Sequence, residues 1–240
     1  VLKYAPTGNS ENYPSRGTLQ QTYDQILADL EEAEKFVTRK GVSQSSSITT
    51  DVITAFKARV ALGMKDYDTA RIAAEAVIAT KKYTLVSNAT TYAEGWINDN
   101  LSETIFQLAM INSTEVGNAY SYFLYNSSGI EGRDNPQYIP EDWVLDLYDK
   151  NKDIRYAAYF DERTVTTPVV GKMTLLIKYP GNPKLYTKVT NYCNMPKVFR
   201  ASEMYLIAAE AEYLSPNGSI AKANSYLNDL RKARIKGWSE

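Results

Sequence analysis

Residues 199–236, FRASEMYLIAAEAEYLSPNGSIAKANSYLNDLRKARIK, constrain the fold more than any other stretch, because they read as two helices parted by one clear break. Met204, Ile207, Ala208, Ala211 and Leu214 recur at i, i+3, i+4, i+7 and i+10, the spacing of a single buried helical face. Ser215-Pro216-Asn217-Gly218 ends that helix: proline lacks the next backbone donor, and glycine accepts a left-handed turn. Ser219 then offers an N-cap, and Ala223, Tyr226, Leu227 and Leu230 form the apolar stripe of a second helix. Joined by so few residues, the two must pack antiparallel as a helical hairpin.

A second such pair is written near the start. Thr18 opens a helix whose stripe is Leu19, Tyr23, Ile26, Leu30, Ala33 and Val37, with Gly41 as a stop, and 42–48 is a polar connector. Thr49-Thr50-Asp51 supplies a cap and an acidic first turn, followed by a stripe of Ile53, Phe56, Val60 and Met64 and by small residues Ala55, Ala58 and Ala61 that permit close approach. Asp66 caps its partner, in which Tyr67, Ala70, Ala74, Val77 and Ile78 repeat the helical spacing. Two helices of similar length across a two- or three-residue link make a tetratricopeptide-like pair.

The middle is less regular. Residues 87–100 are polar apart from Tyr92 and Trp96, and 103–108 alternate like a short strand. Residues 113–140 fit no element, and loops of that length are usually functional or disordered. Glu141-Asp142 opens an amphipathic helix through Leu145 and Tyr148; 172–179 and 184–190 read as strands of a hairpin around Pro180-Gly181-Asn182-Pro183.

Composition removes whole classes of chemistry. With no histidine there is no Ser-His-Asp or Cys-His nucleophile system and no histidine metal site; one cysteine, Cys193, permits no intrachain disulfide and reads as a packed apolar residue. Lys+Arg of 27 against Asp+Glu of 28 leaves a net charge of -1, so nothing points to nucleic acid or an anionic membrane surface. No run approaches the length of a membrane span, and no charged-then-apolar signal opens the chain. Asp149-x-Asn151-x-Asp153 starts like a calcium loop, yet Ile154 and Phe160 stand where glycine and glutamate are needed. At 240 residues one substantial core is expected.

Arg200-x-x-Glu203-x-x-Leu206-x-x-Ala209-Glu210-Ala211, followed by Leu227-Asn228-x-x-Arg231-x-x-Arg234, resembles the C-terminal signature of the SusD/RagB family, surface lipoproteins of Bacteroidetes that bind glycans or peptides over a TonB-dependent transporter. Residues 48–86 resemble the family's helix with an alanine-arginine centre leading into a short helix that ends at Tyr-x-Leu. Ser102-Glu103-x-Ile105-Phe106 resembles its Ile-Phe strand, and 139–155 its segment ending in Asp-x-Arg. Matches over 18–86, 102–155 and 199–238 fall in the family's order. The resemblance implies a mainly α fold, a tetratricopeptide-like helical superhelix with a less regular part containing short β-strands or a hairpin. It implies one domain over 1–240, with a helical scaffold at 17–82 and 199–238 and an irregular, ligand-facing part at 83–198. It further implies no catalysis and no cofactor: glycan is captured at the cell surface and handed to a SusC-like TonB-dependent outer-membrane transporter. Family members are longer and open with a lipoprotein signal and cysteine, so this chain is read as a piece of such a protein or a short member.

The residue types that could hold a sugar gather in the long loop. Tyr120, Tyr122, Tyr125 and Tyr138 offer ring faces for pyranose C–H surfaces, and Asn118, Arg133, Asp134 and Asn135 offer hydrogen bonds to hydroxyls. The alternation of Tyr120 and Tyr122 suits a half-buried strand equally well. Trp96 is an alternative platform; Trp143, at a helical start, reads as core. Glu203 and Glu210 share a helical face, which could serve glycoside cleavage, but Arg231 and Arg234 on the hairpin mate would tie them up as interhelix ion pairs. The rival readings are thus a peptide-binding RagB-type protein, a protein-binding helical scaffold and a glycoside hydrolase.

Overall fold

The computed structural model describes residues 16–110, 136, 138–165, 170–185 and 193–240, and the structural statements below concern these. Their elements are α1 (Leu19–Phe36), α2 (Thr50–Met64), α3 (Tyr67–Ala79), α4 (Ala89–Ile97), β1 (Thr104–Gln107), α5 (Asp142–Asp146), α6 (Ile154–Tyr159), β2 (Phe160–Val165), β3 (Gly171–Leu176), β4 (Lys197–Arg200), α7 (Ala201–Leu214) and α8 (Ile220–Arg234).

The helices begin where their capping residues stand. Thr18 and Gln21 form a reciprocal capping box, while Thr49, Asp66 and Ser219 each accept from the third amide of their helix. Lys65, in a left-handed conformation at φ 63°, closes α2 so that Asp66 can open α3 at once. Packed in the order α2, α3, α7, α8, the two hairpins form stacked tetratricopeptide-like pairs, although more than a hundred residues separate them. Their shared core is a column of small residues, with Ala55, Ala58, Ala70, Ala74, Ala208 and Ala211 fully buried between the axes. On α2 the alanines, rather than Phe56 and Met64, form the innermost face, because α1, α3, α7 and β1 all pack on that helix. Leu214 also departs from its stripe: it is 43% exposed, lying where α7 runs past its partner. By contrast α1 is docked shallowly, with Leu30 its one buried residue and Leu19 and Phe36 exposed.

β1 pairs antiparallel with β4, joining the middle of the chain to the residue before α7. The connector 42–48 covers the other edge of β1, with Gln44 N donating to Thr104 O (2.8 Å) and Gln107 N to Ser45 O (2.9 Å). Three expectations need correction. Residues 89–97 are a helix, capped by Asn88, that buries Tyr92 and Trp96. β3 pairs with the preceding β2, Phe160 opposite Leu176 through Val165 opposite Gly171, and not with a strand after Pro183; of the expected strand 184–190, residues 186–190 lie outside the described ones. Gly218 is not left-handed: an added Cβ would strike the Glu212 carbonyl oxygen, so close backbone approach is what requires glycine.

The part between the hairpins has its own core, built of Val86, Tyr92, Trp96, Leu101, Leu145, Ile154, Ala158, Tyr159 and Phe160. It is aromatic where the helical core is alanine-rich, as short elements need bulk to fill space that long helices fill by close approach.

Candidate functional site

The signature residues clamp the hairpin of α7 and α8 to the remainder of the chain. Arg59 of α2 donates to both oxygens of Glu203 (2.6 and 2.7 Å) and to Val198 O (2.6 Å). Arg234 of α8 donates to both oxygens of Glu103 at 2.7 Å and to Val86 O at 2.7 Å, and Glu103 accepts from Val86 N. The side chains of Glu103 and Arg234 are buried. The expected pairing of Glu203 and Glu210 with Arg231 and Arg234 is therefore wrong: Glu203 pairs with α2 and Arg234 with the residue before β1. Glu210 is exposed, and Arg231 stacks over Trp238. The Asp-x-Arg segment docks at the same end: Asp153 bridges to Ile235, and Lys236 N donates to Lys152 O.

Beside this clamp lies a hub of aromatic rings and cations. Trp96 meets Tyr159 and Tyr179 edge-on, at centroid distances of 5.7 and 5.3 Å, and the hydroxyls of Tyr92 and Tyr159 are 2.6 Å apart. Over the Trp96 ring stand Lys178 (4.5 Å), Lys197 (5.2 Å) and Arg200 (5.2 Å); Arg234 stands over Tyr92 (4.7 Å). Asp99, buried, accepts from Lys197, Asn182 and Asn194. Burial, with Arg200 and Lys197 nearby, pushes Lys178 down to about 8, and burial lifts the Tyr159 hydroxyl well above its ordinary range.

A third feature is open to solvent. Tyr138 (60% exposed), Ile139, Trp143 (66%) and Leu147 (69%) lie within ten residues along the chain, Trp143 and Leu147 on one face of the α5 turn. Leu145 takes the inward face of α5, so Trp143 is a surface residue and not the core residue its position suggested. Its exposure was legible as the i, i+4 pair Trp143 and Leu147 set against the inward pair Leu145 and Tyr148.

The expected ligand residues divide accordingly. Tyr120, Tyr122, Tyr125, Arg133, Asp134 and Asn135, together with Asn118, lie outside the described residues. Tyr138 follows them and is exposed. Trp96 is corrected: at 1% exposure, walled by Tyr159 and Tyr179, its ring has no free face for a sugar.

Glu203 and Glu210 do not make an acid–base pair. Both oxygens of Glu203 are occupied by Arg59, and Glu210 sits two turns, or about 10 Å of helix rise, away, beyond the roughly 5–9.5 Å separations of glycosidase carboxylates. Among the described residues no group of His, Cys, Asp or Glu could hold a metal ion. Asp149 instead accepts from the Asn151 and Lys152 amides, and Asp153 pairs with Arg155. Between α7 and α8 a groove of about 410 Å³ is lined by Leu206, Ala209, Tyr213 and Leu227.

No family model matches the chain. Over 87 residues, 36% of this chain and 17% of the relative, it is 31% identical to a SusD-like protein of Formosa agariphila. Among solved structures it is similar to a SusD superfamily protein from Bacteroides thetaiotaomicron, with TM-score 0.69, 26% identity, and coverage of 95% of this chain and 50% of that one. Surface glycan-binding protein A from Bacteroides uniformis superposes with TM-score 0.71 at 22% identity, covering 95% of this chain and 53% of that one. The chain spans about half the length of these solved relatives. The chain thus shares the fold of a solved SusD superfamily protein along nearly all of its own length, and over 87 residues it is similar in sequence to a SusD-like protein.

Proposed function

We propose that the protein binds glycan at the cell surface without cleaving it, and delivers it to a SusC-like TonB-dependent outer-membrane transporter. The observation that carries the reading is the exposed aromatic surface of Tyr138 and Trp143, directly after the tyrosine-rich loop, on a scaffold shared with proteins described as glycan-binding. A pyranose ring presents C–H faces that an exposed indole or phenol covers at low entropic cost. A laminarin-binding SusD-like protein has the same fold at 21% identity, which speaks for a glycan over a peptide without naming the glycan. The helical scaffold at 17–82 and 199–238 then serves as support, and 83–198 faces the ligand. The residues proposed for contact are Tyr120, Tyr122, Tyr125, Arg133, Asp134, Asn135, Tyr138 and, newly, Trp143.

Affinity electrophoresis against plant and host polysaccharides tests the proposal. Retention by at least one glycan is expected, reduced about tenfold or more by Trp143→Ala or Tyr120→Ala with melting temperature unchanged. No retention across the panel, or product release that Glu210→Gln abolishes, refutes it. One observation favours a second reading as a protein-binding scaffold, namely the apolar groove between α7 and α8. That reading expects glycan binding to be absent and the loop at 118–138 to tolerate shortening.

A further inference from the structure

The hub around Trp96 contains more positive charge than the carboxylates among the described residues neutralise. Of its four cations, Lys197 has Asp99 at 2.8 Å and Arg234 has Glu103 at 2.7 Å. The side chains of Lys178 and Arg200 have, among the described residues, no carboxylate at ion-pair distance and no hydrogen-bond acceptor; each meets only ring faces. The indole N–H of Trp96 is buried and without an acceptor as well. Tyr92 and Tyr159 use one hydroxyl hydrogen between them, leaving the other to donate. Ring faces return only part of the hydration that a buried cation loses, so such a set of donors calls for an anion. General basicity does not explain it, since the whole chain has a net charge of -1.

We propose that this cluster is a binding site for one small oxyanion, a sulfate, phosphate or carboxylate group, held by Lys178 and Arg200 beside the Trp96 indole. Oxygen-rich anions fit because several lone pairs can serve an ammonium, a guanidinium fork and an indole N–H together. Lys178, Tyr179 and Arg200 are each partly exposed to solvent, while the burial of Trp96 limits the occupant to a small group. The anion comes either free from the medium or as the acidic group of a uronic or sulfated sugar; the second source rests on the glycan reading, whereas the site does not.

Thermal unfolding of the full chain in sodium chloride, against low-millimolar sodium sulfate or sodium glucuronate at matched ionic strength, tests the site. At a hundredfold excess over Kd, a rise in melting temperature of about 5 °C or more is expected. Lys178→Met, which keeps the stem over the rings, is expected to lose that increment. Lys172→Met, at an exposed lysine paired with Glu162, is expected to retain it. Protection by both anions points to a free oxyanion, and protection by glucuronate alone, with glucose inert, to an acidic sugar. A wild-type chain that responds to neither anion beyond chloride overturns the proposal, as does equal protection of Lys178→Met, the mark of general salt exclusion. Should Lys178→Met not fold, Lys178→Gln replaces it, and the wild-type response alone remains decisive.

Discussion

Removing the carboxylate of Glu103 is the most demanding test of how this fold is held together. In Glu103→Ala, the Arg234 guanidinium loses both of its 2.7 Å partners while remaining buried, and the Val86 amide loses its 2.8 Å acceptor. Breaking a buried pair from one side costs about 3–5 kcal/mol, and the orphaned amide lies within that range rather than adding fully to it. About 4 kcal/mol is therefore expected. At about 2–4 °C per kcal/mol for a chain of this size, the melting temperature should fall by about 8–16 °C. Urea unfolding followed by far-ultraviolet circular dichroism measures the loss directly. The double change Glu103→Met with Arg234→Met removes both charges and should recover most of the stability, to within about 2 kcal/mol of the wild type, the remainder being the unpaired Val86 backbone. A single mutant that loses less than about 1 kcal/mol, or a double mutant no better than the single, would refute the clamp.

Glu203→Ala breaks the companion pair, but Glu203 and Arg59 are 30% and 39% exposed, so a smaller loss of about 1–2 kcal/mol is expected in the same assay. Gly218→Ala should cost about 1–3 kcal/mol by contact with the Glu212 carbonyl, and an unchanged unfolding midpoint would show that the turn can yield. Lys178, depressed to about 8 from its ordinary 10.5, sheds its proton in the folded state while the unfolded chain keeps it. Between those values the unfolded state binds more protons, so in chloride buffer the stability of wild type relative to Lys178→Met should rise with pH. Taking the difference cancels Tyr159 and Tyr179, whose raised values act in the opposite sense; a flat difference from pH 8 to 10.5 would contradict the burial of Lys178.

The hairpins were legible because caps and stripes are local signals: Thr18, Thr49, Asp66 and Ser219 each act within three residues. α4 was not, since nine residues containing Thr90, Thr91 and Gly95 offer only Tyr92 and Trp96 as an i, i+4 pair. β2 was hidden by Asp161, Glu162 and Arg163, which face solvent or pair at its edge. The ion pairs were misassigned for a different reason: Arg59 lies 144 residues from Glu203, and Glu103 lies 131 from Arg234, so helical spacing suggested only nearer partners. As for the ligand surface, the aromatic content of the chain was plain, but burial decides which rings serve a sugar. Trp96, read as a platform, is buried, and Trp143, read as core, is exposed.

The 131-residue span of the Glu103 to Arg234 clamp also sets a timetable for folding. Closing a loop of that length costs about 4 kcal/mol of chain entropy beyond a constant, so the contact has to form late, on a surface already ordered. On a ribosome adding about 5–20 residues per second, Glu103 waits roughly 7–25 s for its partner to be made. The α2–α3 hairpin can form in that interval, whereas the Glu103 carboxylate and Val86 O lack Arg234, and β1 lacks β4 until residues 197–200 are made. Until α8 emerges the core is incomplete, and a holding chaperone that shields exposed strand edges over that interval would favour correct closure.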